Sequence, residues 1–130
     1  MTPGAPPGAG VQRQRLGAAA EDRALAFLQQ RGLTLVERNF RARRGEIDLV
    51  MRDGEYLVFV EVRLRSHLGF VGAAESVDQA KRLAMVSAAK AYLATHPETL
   101  RLACRFDVVA LGDAGGASDW IRNAFDANGW

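Results

Sequence analysis

The chain has 130 residues, 48% of them apolar and 25% charged, with a net charge of +2, which fits one globular domain large enough to bury a core without staples. No apolar run approaches the roughly 18 residues of a membrane span, and the opening MTPGAPPGAG lacks the basic start and apolar stretch of a secretory signal. A single cysteine, Cys104, excludes an internal disulfide and a multi-cysteine metal centre.

Three Pro and three Gly in the first ten residues predict a disordered tail over 1–12 ahead of a single domain over 13–130. Residues 13–31, rich in Ala, Leu, Gln and Arg and followed by Gly32, read as a helix. A short strand follows over 33–40, then a basic turn over 41–45. Two strands, 46–52 and 55–64, are joined by Asp53-Gly54, a two-residue hairpin signal. After a loop, the capping-box spacing of Ser76 and Gln79 opens a second helix that runs to Thr95 and stops before Pro97. RFDVVAL (105–111) reads as a fourth strand, 112–119 as loop, and IRNAFDANGW as a tail with apolar residues that dock on the body. The order helix, three strands, helix, strand is an α/β domain with a mixed sheet.

Charge is unevenly spread. Of 17 basic residues 15 are Arg, and Arg38, Arg41, Arg43 and Arg44 fall within seven positions. So concentrated a patch on a nearly neutral chain suits a phosphate backbone; the alternative is a solvated loop.

The hairpin carries the chemistry. With Asp53 and Gly54 as turn residues, Val50 pairs with Leu57, Asp48 with Phe59 and Glu46 with Glu61. Alternation then puts Glu46, Asp48 and Val50 on one face with Leu57, Phe59, Glu61 and Arg63. The other face, of Ile47, Leu49, Met51, Tyr56, Val58, Val60, Val62 and Leu64, is apolar and predicted buried. Asp48 and Glu61 become diagonal neighbours about 7–8 Å apart, a spacing from which two carboxylates can converge on a hard cation. In the first helix Glu21 lies among Gly17, Ala18, Ala24, Leu25 and Leu28. An acid on that face needs a metal or a base as partner. Lys81 heads the apolar stripe Ala84, Met85, Ala88 and Tyr92 near a helix start, where it meets a phosphate or, equally, is a surface lysine laying its stem along the stripe. Asp107 is expected to hold an arginine, Cys104 to act as a small buried hydrophobe, and His67 and His96 to be surface residues.

Taken together, GEIDLV (45–50), VFVEVRLR (58–65), Lys81 and RFDVV (105–109) resemble the YraN family of small bacterial proteins over roughly 13–126. That family is similar to the PD-(D/E)XK nucleases, and among them to Holliday junction resolvases. The resemblance implies a restriction-endonuclease-like α-β-β-β-α-β core. It also implies a site in which Asp48 and Glu61 hold Mg²⁺ or Mn²⁺, with Glu21 as the first-helix acid. The third motif position, usually Lys, is Arg63 here. Arg cannot give up its proton, so the alternatives are that Arg63 binds the phosphate and stabilises its charge, or that Lys81 supplies the amine from the helix. The expected function is cytoplasmic DNA cleavage, with Arg38, Arg41, Arg43 and Arg44 gripping the backbone, no membrane partner, and a homodimer if the DNA is branched. The alternatives are a nucleic-acid-binding module without cleavage and a protein adaptor using the aromatics Phe125 and Trp130.

Overall fold

A computed structural model describes residues 9–64, 79–112 and 118–126. The predicted tail residues 1–8, the loop from 65, the Ser76 cap, His67 and Trp130 lie outside the described residues. Helix α1 spans Ala9–Gln30, so it starts four residues before the predicted boundary. It ends where Gly32 takes φ +96° and the Leu33 amide bonds back to the Leu28 carbonyl, a left-handed helix stop. Strands β1 (Thr34–Ala42), β2 (Gly45–Asp53) and β3 (Tyr56–Leu64) form an antiparallel meander. Helix α2 (Gln79–Thr95) and a short 3-10 turn (Pro97–Arg101) lead to β4 (Ala103–Leu111), parallel to β3. A fifth strand, β5 (Ser118–Phe125), pairs antiparallel with β4, so the sheet order is β1-β2-β3-β4-β5. The α-β-β-β-α-β arrangement is the one read from the sequence, with β5 added at the edge.

Each face of the sheet carries one helix. On one side Ala20, Ala24 and Leu28 of α1 pack on Leu49, Met51, Val58, Val60 and Val109. On the other, Met85, Ala88, Ala89 and Tyr92 of α2 pack on Val50, Leu57, Phe59, Phe106 and Val108. Small residues on both helices let them lie close to the strands. The closest approach is at Gly45, where a Cβ would collide with the carbonyl oxygen of Ala84 and stand 2.7 Å from its carbon.

Three sequence expectations need correction. The β2–β3 turn is Gly54-Glu55, not Asp53-Gly54, because Gly54 takes φ +59°, the geometry a type II′ turn demands of its first position. The register accordingly runs Asp53–Tyr56, Arg52–Leu57, Met51–Val58, Val50–Phe59 and Leu49–Val60. Ile47 packs with Val50 on the α2 side rather than with Leu49. Strict alternation is therefore interrupted at Asp48. The face predicted to be buried throughout is in fact exposed at both ends, at Tyr56 and Leu64.

β5 escaped the sequence reading because its residues, SDWIRNAF, do not alternate cleanly. Its pairing is irregular between Phe106 and Val108, and the buried Asp107 carboxylate accounts for this. It accepts from Trp120 Nε1 at 2.9 Å, from the Asn123 amide at 2.9 Å and from Arg105 at 3.0 Å. Asn123 sits at φ +51° to present that amide, a conformation asparagine tolerates better than most residues. Arg105 reaches on to Asp53 at 2.8 Å. The arginine-holding role expected of Asp107 is the one it has.

Candidate metal centre

Two strands position the carboxylates. The observed register pairs each β2 residue with one two positions further along β3 than expected. An even shift preserves the faces as far as Leu49–Val60, the last paired residues, but changes partners: Phe59 now pairs with Val50, and the Asp48 carboxyl shares a hydrogen bond with Glu61. There the Val62 amide donates to Asp48 Oδ2 at 2.8 Å. A side chain thus takes the place of a main-chain carbonyl where β2 and β3 begin to part.

Glu61 is 5% exposed, and its Oε1 has no hydrogen-bond partner among the described residues. Lys81 Nζ, from the first turn of α2, stands 3.5 Å from that oxygen. That is close enough for charge attraction but long for a hydrogen bond. Burial, and then the Asp48 carboxylate beside it, push the Glu61 carboxyl up to about 8. Burial also raises Asp48, partly offset by the Val62 amide and a hydrogen bond with Glu61. Below about pH 8 the pair therefore holds a proton even with Lys81 beside it, since like charges so close resist ionising together. Arg63 contributes positive charge at Glu61.

Next to Lys81 a groove of about 550 Å³ opens between the β1–β2 hairpin and α2, walled by Arg41, Ala42, Gly45, Glu46 and Ala84. Glu46, once expected opposite Glu61, is bound by Arg41 at 3.4 Å. Arg43 and Arg44 form the hairpin turn and are exposed.

Not every expected residue joins this centre. Arg38, level with Leu49 in the pairing, holds Glu21 at 3.3 Å and Asp22 at 2.8 Å on the α1 side of the sheet. Glu21 thus has the base partner that its place on an apolar helix face demanded, and Arg38 is drawn away from the exposed arginines of the turn. Among the described residues no group of three or more His, Cys, Asp or Glu side chains lies close enough to hold a metal ion. His96 is half-buried rather than a surface residue: its ring stacks on Tyr92 at 3.9 Å and faces Glu37 at 3.9 Å. Cys104, expected to be buried, is only half-buried. Phe125, expected as an exposed adaptor aromatic, is buried and stacked on Phe106 at 4.7 Å. The parts that sequence reasoning missed are main-chain ones, the Val62 amide and the Gly45–Ala84 approach. A glycine directly before an acidic strand is the one visible trace of the second.

The remaining donor set fits a hard divalent cation in kind. Two carboxyls converge, one buried oxygen has no hydrogen bond among the described residues, and the Lys81 ammonium already stands 3.5 Å from it. Among the described residues no helix is long and apolar enough to cross a membrane.

The comparisons agree with the resemblance seen in the sequence. A family model described as "Uncharacterised protein family UPF0102" matches residues 20–111. A UPF0102 protein of Pseudomonas savastanoi is 49% identical over 118 residues, covering 88% of this chain and 96% of its own. Those of Janthinobacterium and Halorhodospira halophila are 50% and 54% identical, covering 88% and 87% of this chain and 90% and 88% of theirs. With its sheet, helices and motif order in place, the chain belongs to the UPF0102, or YraN, family.

Proposed function

We propose that this protein binds nucleic acid and cleaves DNA as a Mg²⁺- or Mn²⁺-dependent endonuclease. The observation that carries the reading is the half-buried Asp48 beside the buried Glu61, whose Oε1 has no hydrogen bond among the described residues and stands 3.5 Å from Lys81. Asp48 and Glu61 would hold the ion, and Glu21 could join only by leaving Arg38. When bound, the ion would supply the charge that acidifies a water and polarises a phosphoryl group.

The chain's own groups do the rest. The Val62 amide fixes the Asp48 carboxylate by its Oδ2. Lys81, 3.5 Å from Glu61, would present its ammonium to the phosphate. Arg63 keeps its charge at every pH and stabilises the negative charge that grows on the phosphoryl oxygens. Arg41, Arg43 and Arg44 line the entry to the groove or its rim and hold the strand by its backbone. Cutting a branched DNA would need two copies, since one small centre serves one strand.

A second reading, a nucleic-acid-binding module without cleavage, is favoured by one observation. Arg63 stands where a proton-transferring Lys is usual, and the carboxyl pair retains a proton near neutrality. A cleavage assay on labelled branched and linear DNA, with Mg²⁺ or Mn²⁺ and with Asp48→Asn as control, separates the two. Divalent-dependent cleavage lost in the variant supports the nuclease. Salt-sensitive binding with no cleavage under any divalent ion supports the module.

A further inference from the structure

We propose a second phosphate-binding surface on the α1 side of the sheet, where Arg31 and Arg122 are held flat on Phe27 and Trp120 and grip the backbone of a nucleic-acid strand. The proposal rests on the nucleic-acid part of the function proposed above and not on cleavage.

The arrangement is an alternating stack. The Arg31 guanidinium carbon lies 3.6 Å from the Phe27 ring centre. Phe27 meets Trp120 edge to face, 6.4 Å between centroids at 82°. The Arg122 guanidinium carbon lies 4.0 Å from the Trp120 ring. Trp120 is itself fixed, because its Nε1 donates to the buried Asp107.

Two features separate these arginines from ordinary surface ones. Arg38, Arg41 and Arg105 each meet a carboxylate. Arg31 and Arg122, both exposed, meet rings, and among the described residues neither is bridged to an acid. Arg31 spends one donor on the Phe27 carbonyl at 3.1 Å, which locks it further. A guanidinium packed by its face keeps its N–H edge outward, in the fork that suits a phosphate. Its side chain is ordered before anything binds, so binding loses less entropy.

The second feature is position. Val62, whose amide holds Asp48, pairs with Val109, and Val109 pairs with Trp120. At about 4.8 Å per strand, Trp120 is about 10 Å along that row from Val62, on the α1 side of the sheet, while Glu61, the residue before Val62, faces Lys81 of α2. A strand leaving the candidate centre around the β5 edge would meet Arg122 and then Arg31.

The test is fluorescence anisotropy of a labelled single-stranded oligodeoxynucleotide and of the matching duplex, across a salt series. It compares the wild type with Arg31→Gln/Arg122→Gln, Arg31→Lys/Arg122→Lys and Arg43→Gln/Arg44→Gln. Thermal melts verify that these surface variants fold. The Gln pair at 31 and 122 is expected to flatten the slope of log affinity against log salt by about 1.4 on the single strand and about 1.8 on the duplex, two phosphate contacts in each case. The Lys pair is expected to keep the slope yet bind several-fold more weakly, because lysine keeps the charge and loses the stacked fork. An unchanged slope in the Gln pair overturns the proposal, and so does full rescue by Lys. Loss confined to the Arg43/Arg44 variant would overturn it while leaving the hairpin grip standing. Loss confined to the Arg31/Arg122 variant would support it and remove the hairpin grip. Failure of the wild type to bind either probe would overturn both.

Discussion

Gly45 and Ala84 touch main chain to main chain: the space a Cβ on Gly45 would occupy is already filled by the Ala84 carbonyl. This contact lays the first turns of α2 against the start of β2, and Lys81, one turn before Ala84, reaches Glu61 as a consequence. Gly45→Ala is expected to cost about 1–3 kcal/mol through overpacking. Gly17→Ala, in the exposed part of α1 with nothing within 4 Å of the added methyl, is expected to stabilise by about 0.5–1 kcal/mol. Urea titrations of the two variants check the contrast, and equal effects would remove the argument for close approach.

The carboxyl pair makes stability depend on pH with a definite sign. In the unfolded chain Glu61 loses its proton near its ordinary 4.5, whereas in the folded chain it holds it to about 8. Between those values the folded state binds more protons than the unfolded one, so stability falls as pH rises and levels off above about 8. Glu61→Gln removes this dependence while keeping a hydrogen-bond donor toward Asp48. Without divalent ions its unfolding free energy at pH 8 is expected to exceed that of the wild type by on the order of 1 kcal/mol or more, with a higher melting temperature, since each pH unit in that window is worth about 1.4 kcal/mol. A variant that melts lower than the wild type at pH 8 would show that the pair is not strained by its charge.

Asp107 is wholly buried and satisfies donors from β4 and β5 at once. Asp107→Ala leaves Arg105 without one of its two acids and frees the amide that pins the β5 irregularity. A loss of about 3–5 kcal/mol is expected, together with a change in tryptophan emission as the Trp120 indole loses its acceptor. Both are read in one fluorescence-detected denaturation, and a loss under about 1 kcal/mol would contradict the role.

Much of this was legible in the chain, for reasons that differ by element. Apolar runs at VFVEVRL and RFDVVAL gave β3 and β4, and the small-residue stripes of α1 and α2 gave their buried faces. Glycine at 54 gave the hairpin but not its turn type, and the choice of turn put Val50 rather than Asp48 opposite Phe59. The diagonal neighbours expected from the sequence are in hydrogen-bond contact. Glu21 was read as needing a partner, which it has in Arg38; periodicity alone does not say whether such a partner is a base or a metal. β5 and the Arg31–Phe27–Trp120–Arg122 stack were invisible because both depend on Asp107, whose hydrogen bonds join residues far apart in sequence.

The central claim is that Asp48 and Glu61 form a cation site, and titration calorimetry with Mn²⁺ tests it most directly. The wild type is expected to bind, more tightly as pH rises toward 8 because the cation must displace the shared proton, and Asp48→Asn is expected to lose that binding while still folding. No binding by the wild type above pH 8, with or without DNA present, would contradict the account.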